Sequence, residues 1–243
     1  MELTDRLEFD HEDRRRIYEH VEAHGRVATE RVRDELNLDP RGLRHHVAIL
    51  RRDGYVEEDG DDLVVTFEDG AAEEHTADDI EFVIRQARQD DMSGLVGAIR
   101  RVAEEGRYTE AESVADVIDH EEVLLRHNEL ESRMFFVATV DEEVVGWVHV
   151  AGSEIDKLAH TAVLTVGVLK EYRGKDVGSH LLERGLGWAS KAGYEKLYNS
   201  VPATNERAIE FLEAAGWETE ATRADHYRID GEYVDEVMMA YWL

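Results

Sequence analysis

The 243-residue chain contains no cysteine, which excludes disulfides, thiolate zinc sites and cysteine nucleophiles. No apolar run approaches the roughly 20 residues that a membrane-spanning helix needs. The opening residues, MELTDRLEFD, lack the charged and apolar regions of a secretory signal. A soluble cytoplasmic protein without membrane association is expected. Lysine is scarce as well: only five of the 28 basic side chains are lysines, and 56 acidic ones leave a formal charge of −28. What is present suffices for a globular chain, since a hydrophobic fraction of 42% supports packed cores. The length allows one large domain or two smaller ones.

Charge of this size repels itself in dilute buffer, whereas in 1 M salt the screening length falls to about 3 Å. Abundant acid, little lysine and no cysteine together resemble the cytosolic proteins of halophiles. On that reading the acid surface reflects the solvent and identifies no partner. The charge is shared evenly, with 11 basic and 24 acidic side chains in residues 1–79 and 17 and 32 in residues 80–243. Pattern, not charge, therefore has to divide the chain. The stretch 68–79, EDGAAEEHTADD, has no aliphatic residue larger than alanine and reads as a solvated linker. This gives an N-terminal domain over 1–70, a linker over 71–79 and a second domain over 80–243.

In the first domain, Ile17, Tyr18 and Val21 share one face of a helix that His24-Gly25 ends. Thr29 can cap a second helix carrying Val32 and Leu36. Asp39-Pro40 supplies an N-cap and a first-turn proline for a third helix, which buries Leu43, Val47 and Leu50. Two short strands, 55–57 and 63–67, follow around an acidic turn. Three helices and a two-stranded wing over residues 10–67 resemble the winged helix-turn-helix family. Residues 41–52 hold four arginines, two histidines and no acid. Arg41, Arg44 and His45 face outward, as a recognition helix faces the major groove of duplex DNA, and Arg51 and Arg52 suit phosphates. The alternative is a docking or dimerisation module whose arginines pair internally. The acidic wing, Glu57 to Asp62, would repel phosphates in either case. A homodimer is compatible with the pattern and not fixed by it.

From Ile80 the pattern becomes α/β. Strands are expected at 80–87, 134–140, 144–150, 162–169 and 197–201, followed by two closing strands. Helices are expected at 95–103, 114–130, 179–191 and 205–215. In LTVGVLKEYRGKDVGS, residues 164–179, a buried strand enters a loop with glycines and basic residues, and the loop opens a helix. Successive amides there, with the helix N-terminus, suit an anionic phosphate. No Lys-Ser/Thr pair follows the last glycine, so this is no Walker loop. It is similar to the acetyl-CoA loop, Arg/Gln-x-x-Gly-x-Gly/Ala, of the GNAT superfamily of N-acetyltransferases. Arg173 and Gly178 match its ends, and Asp176 stands where the middle glycine is expected. The resemblance extends through Asn205-Glu206-Arg207-Ala208 and Glu213 to Trp217, and covers residues 80–243.

The resemblance implies a mixed, mostly antiparallel sheet flanked by helices, preceded by the small winged-helix domain. It also implies transfer of an acetyl group from acetyl-CoA, with no metal, to a primary amine of a small molecule or a protein. Val166, Gly167 and Val168 then hold the strand that pairs with pantetheine. Arg173, Gly174, Lys175, Asp176, Val177, Gly178 and Ser179 wrap the pyrophosphate, and Asn205 and Ala208 lie along the pantetheine arm. Arg107 and Tyr108 line the acceptor pocket. The family's tyrosine acid is replaced by Leu212, which cannot donate a proton. The base candidates are His149, Glu154, Asp156 and His160: histidine as a residue type suits proton transfer near neutrality, His160 directly precedes the pantetheine strand, and Glu154 is the carboxylate alternative. A solvated loop residue is the plain reading of each. Two departures, Asp176 and Leu212, keep a rival open: a winged-helix regulator whose second domain senses acetyl-CoA or an amine without turnover. A regulator that acetylates a chromatin protein, or itself, is a third.

Overall fold

The computed structural model describes residues 9–66, 72–77, 80–104, 109–127, 131–153, 155 and 157–243. The N-terminal part consists of α1 (Glu12–His24), β1 (Arg26–Ala28), α2 (Thr29–Leu36), α3 (Pro40–Arg52), β2 (Val56–Asp59) and β3 (Asp62–Val65). Asp39 caps α3 by accepting from the amides of Arg41 and Gly42, both at 2.9 Å. Those two amides hold its carboxyl below the usual carboxylate range. Ile17, Tyr18, Val21, Val32, Leu43, Val47 and Leu50 are buried as one core. Two details differ from expectation. Where two strands were expected the sheet has three, in the order β1-β3-β2, because the three residues of β1 are too short a run to show periodicity. Thr29 is the first helical residue and not the cap, and its hydroxyl donates to the Asp61 carbonyl at 2.9 Å, tying α2 to the wing.

The second part builds one nine-stranded sheet from β4 (Glu73–Ala77), β5 (Ile80–Gln86), β6 (Arg126–His127), β7 (Glu131–Val140), β8 (Glu143–Ser153), β9 (Thr161–Val168), β10 (Lys196–Pro202), β11 (Glu218–Ile229) and β12 (Glu232–Trp242). Its order is β11-β12-β10-β9-β8-β7-β5-β4, with β6 on β7. Every pairing is antiparallel except β9 with β10, among the described residues. The β7–β8 hairpin turns on Asp141 and Glu142, both at positive φ (48° and 68°), as a two-residue type I′ turn requires. Helix α6 (Val177–Lys191) packs Leu181, Leu182 and Trp188 on one face of the sheet. Helices α4 (Met92–Ala103) and α5 (Thr109–Glu121) cover the other face over Phe135, Val137 and Trp147. Helix α7 (Glu206–Ala214) follows β10. Among the described residues no helix is long and apolar enough to cross a membrane.

The expected linker at 71–79 contains β4, which pairs with β5 over Glu73–Ala77. An edge strand needs backbone hydrogen bonds more than large apolar side chains, so an acidic segment can form one. The helix expected over 114–130 ends at Glu121, where Glu122 takes φ 57° and turns Val123 and Leu124 into the interior. The two parts meet through a run of charges. Buried Glu22 of α1 contacts Arg126 at 3.4 Å, Arg126 contacts Glu121 at 3.3 Å, and Glu121 accepts from Arg133 at 2.5 Å. Buried Arg133 also donates to the carbonyls of Val123 and Leu124.

Candidate active site

The parallel pairing of β9 with β10 lasts only three residue pairs, Thr161–Lys196 to Val163–Tyr198, after which the strands part. Buried Asn199 closes the crotch by donating Nδ2 to the Leu164 carbonyl at 2.7 Å. The ladder with β8 shows which main-chain groups face the gap. The Leu169 amide bonds the Val145 carbonyl, and antiparallel bonding alternates, so Thr165 and Gly167 also turn their amides to β8. Val166 and Val168 therefore turn theirs away from β8, toward the side where β10 has departed. Gly167 is fixed by packing, since a Cβ there would lie 2.2 Å from the buried Trp147 ring.

A cavity of about 300 Å³ opens from this fork. Of the residues singled out in the sequence, Val166, Gly167, Val168, Arg173, Gly174, Asp176, Gly178, Ser179, Asn205 and Ala208 line it. Arg173 donates Nε to the Val168 carbonyl at 2.8 Å, pinning the loop to the strand. Asn205 caps α7, its side chain accepting from the Ala208 amide. Helix α6 starts without a side-chain cap, because Asp176 is exposed and puts no oxygen on the first-turn amides. Those amides and the positive end of the helix are what an anion would complete. Asp176 also sits at φ 57°, ψ 0°, left-handed backbone that glycine adopts without strain. Two loop residues lie outside the lining: Val177 is buried in the core, and Lys175 extends over the Tyr172 ring, 5.8 Å from its centroid.

Sequence reasoning missed Thr165, Asn199, Arg207 and Phe211, which also line the cavity, as does Leu212. Thr165 is buried, and its Oγ1 lies 3.3 Å from Nδ1 of His149 on β8. His149 stacks on Phe135 with ring centroids 4.4 Å apart, and its Nε2 is buried without a partner. Burial, then the Arg133 charge, lower its pKa to about 3. Histidine 149 is neutral and no base near pH 7.

His160 is exposed and stands before the first residue of β9. Six residues of strand put it about 20 Å from Val166, at the far end from the cavity. Its carbonyl accepts from the amides of Glu195 and Lys196, which anchors that end, and the distance along β9 sets His160 apart from the cavity for which it was expected as base. Glu154, Asp156, Arg107 and Tyr108 lie outside the described residues. On α3, Arg41, Arg44 and His45 are exposed. Arg51 pairs with Glu58 of β2 and Arg52 with the adjacent Asp53. Exposed pairs of this kind are worth about 0–1 kcal/mol and exchange readily.

Residues 99–217 match the model of the acetyltransferase (GNAT) family. Curated proteins offer no significant match. Among solved structures, an acetyltransferase of the GNAT family from Streptococcus pneumoniae is 20% identical with a TM-score of 0.55, over 67% of this chain and 99% of that one. A GCN5-related N-acetyltransferase from Kribbella flavida is 21% identical with a TM-score of 0.57, over 67% and 98%. The yncA protein from Salmonella typhimurium, solved with acetyl-CoA, is 18% identical with a TM-score of 0.55, over 67% and 94%. At such identities the likeness is one of fold.

Proposed function

We propose that residues 99–217, which match the acetyltransferase (GNAT) family model, work as such a domain and that the chain transfers an acetyl group from acetyl-CoA to a primary amine. The observation that carries this is the fork itself. The main-chain amides of Val166 and Val168 turn toward a cavity that runs on to the uncapped start of α6. Pantetheine would extend along the parted edge of β9, with its diphosphate on the α6 amides. The amine nitrogen forms a bond to the acetyl carbon, the carbon–sulfur bond breaks, and the amine's extra proton is lost to water. The Val166 amide is placed to stabilise the oxyanion. Thr165 supplies a second donor: with its proton on Nδ1, His149 donates to Oγ1 and leaves the hydroxyl proton for the cavity. The other tautomer would bury an N–H without a partner, the costlier arrangement.

The N-terminal three helices and three-stranded sheet support reading this part as a winged helix that binds duplex DNA. Arg41 and Arg44 carry the reading, because neither makes a side-chain hydrogen bond or ion pair with a described residue. The double variant R41A/R44A should lower duplex affinity and the slope of log affinity on log salt by about two. An unchanged slope would leave α3 out of any DNA contact.

A second reading, an acetyl-CoA or amine sensor, is favoured by Leu212, a buried apolar residue where the family carries a tyrosine acid. Thiol release from acetyl-CoA with a panel of amines separates the two. Release that needs both substrates is expected in molar KCl. At low salt the Asp176 carboxylate should raise KM for acetyl-CoA about tenfold, an effect that D176G removes and molar salt screens. Acetyl-CoA binding without release would make the domain a sensor, and no binding in brine would end both readings.

A further inference from the structure

Away from the cavity, three donor side chains meet where α1 packs on α2. One ligating atom from each of His20, His24 and Glu35 lies within 4.8 Å of the others. His20 and His24 stand one turn apart on α1, with ring centroids 4.4 Å apart, and Glu35 belongs to the last turn of α2. His20 Nε2 is buried and makes no hydrogen bond, yet it lies 3.2 Å from Glu35 Oε2. A ring nitrogen and a carboxylate oxygen this close, with no hydrogen bond between them, can both turn lone pairs to one shared cation.

We propose that His20, His24 and Glu35 bind a zinc-class dication that clamps α1 to α2. Two ligands each about 2.0–2.1 Å from a tetrahedral zinc are about 3.3 Å apart, close to the 3.2 Å observed between His20 and Glu35. His24 is oriented for it. Its Nδ1 lies 2.7 Å from the His20 carbonyl, which only accepts, so Nδ1 holds the proton and Nε2 carries the lone pair. Arg31, donating Nε to Glu35 at 2.7 Å, fixes the carboxylate from behind. Imidazole donors select against magnesium and calcium, which prefer oxygen ligands. A second cluster, His11, Asp13 and His46, is the weaker candidate, since His11 Nδ1 already accepts the Asp13 amide at 3.1 Å. The clamp lies in the N-terminal part and stands whether or not the cavity transfers acetyl groups.

Calorimetric titration of zinc chloride into the full chain in molar KCl, with magnesium chloride as control, tests it. One zinc per chain is expected, with no comparable heat from magnesium. E35Q and H24A, both at exposed positions and safe for folding, should each weaken zinc about 100-fold. H46A should leave it unchanged. Zinc heats no larger than those of magnesium, or a tight site that survives E35Q and disappears in H46A, would overturn the assignment.

Discussion

Val166→Pro is expected to lower kcat by about 10²–10³ while the protein stays folded, the loss typical of removing one oxyanion donor. The variant is selective because of where the amide points. The alternation set by the Leu169–Val145 bond turns the Val166 N–H away from β8, and pairing with β10 ends at Val163. Proline there removes a donor to the cavity without removing a rung of the ladder. The neighbouring T165P deletes an amide that does bond β8, and should unfold the sheet instead. Circular dichroism with steady-state kinetics distinguishes the two. If V166P turned over at the parent rate, the oxyanion would have to be stabilised elsewhere.

Acid should destabilise the protein through His149. Its pKa of about 3 in the folded state lies below the ordinary 6.5, so between these values the unfolded chain binds a proton that the folded one does not. The sign follows: stability is fully present above pH 6.5 and falls as pH drops, by about 1.4 kcal/mol per pH unit, until about pH 3. At pH 5 the loss is about 2 kcal/mol. Other groups contribute to the acid limb, among them His20 and His46, whose pKa values burial also lowers. The measurement is therefore a difference. Urea unfolding of H149Q between pH 5 and 6.5 should show a slope shallower than the parent by about one proton. Parallel slopes would mean that His149 is already protonated in the native state.

Local chemistry was readable in the residues. Asp39-Pro40 marks the start of α3, the short acidic gap between the strands expected at 134–140 and 144–150 marks the hairpin, and the glycines after β9 mark the loop that becomes part of the cavity wall. What escaped depends on partners distant in sequence. Whether His160 or Thr165 reaches the cavity is decided by where β10 stops pairing with β9, and no window of β9 contains that information. The Arg51–Glu58 pair forms only because the wing folds back beside α3. β4 is recognisable only once β5 is there to receive it. The spacing of His20 and His24 is plain in the sequence, but its third member arrives from another helix.

The relay from Glu22 through Arg126 and Glu121 to Arg133 bears on how the molecule can be dissected. A fragment cut after β3 would expose the Glu22 carboxylate that was shielded from water, and in the remaining half Arg126 would keep Glu121 but lose one of its two acidic partners. Truncation would thus report on the wound as much as on the isolated part. Point substitutions on the intact polypeptide are the cleaner scalpel.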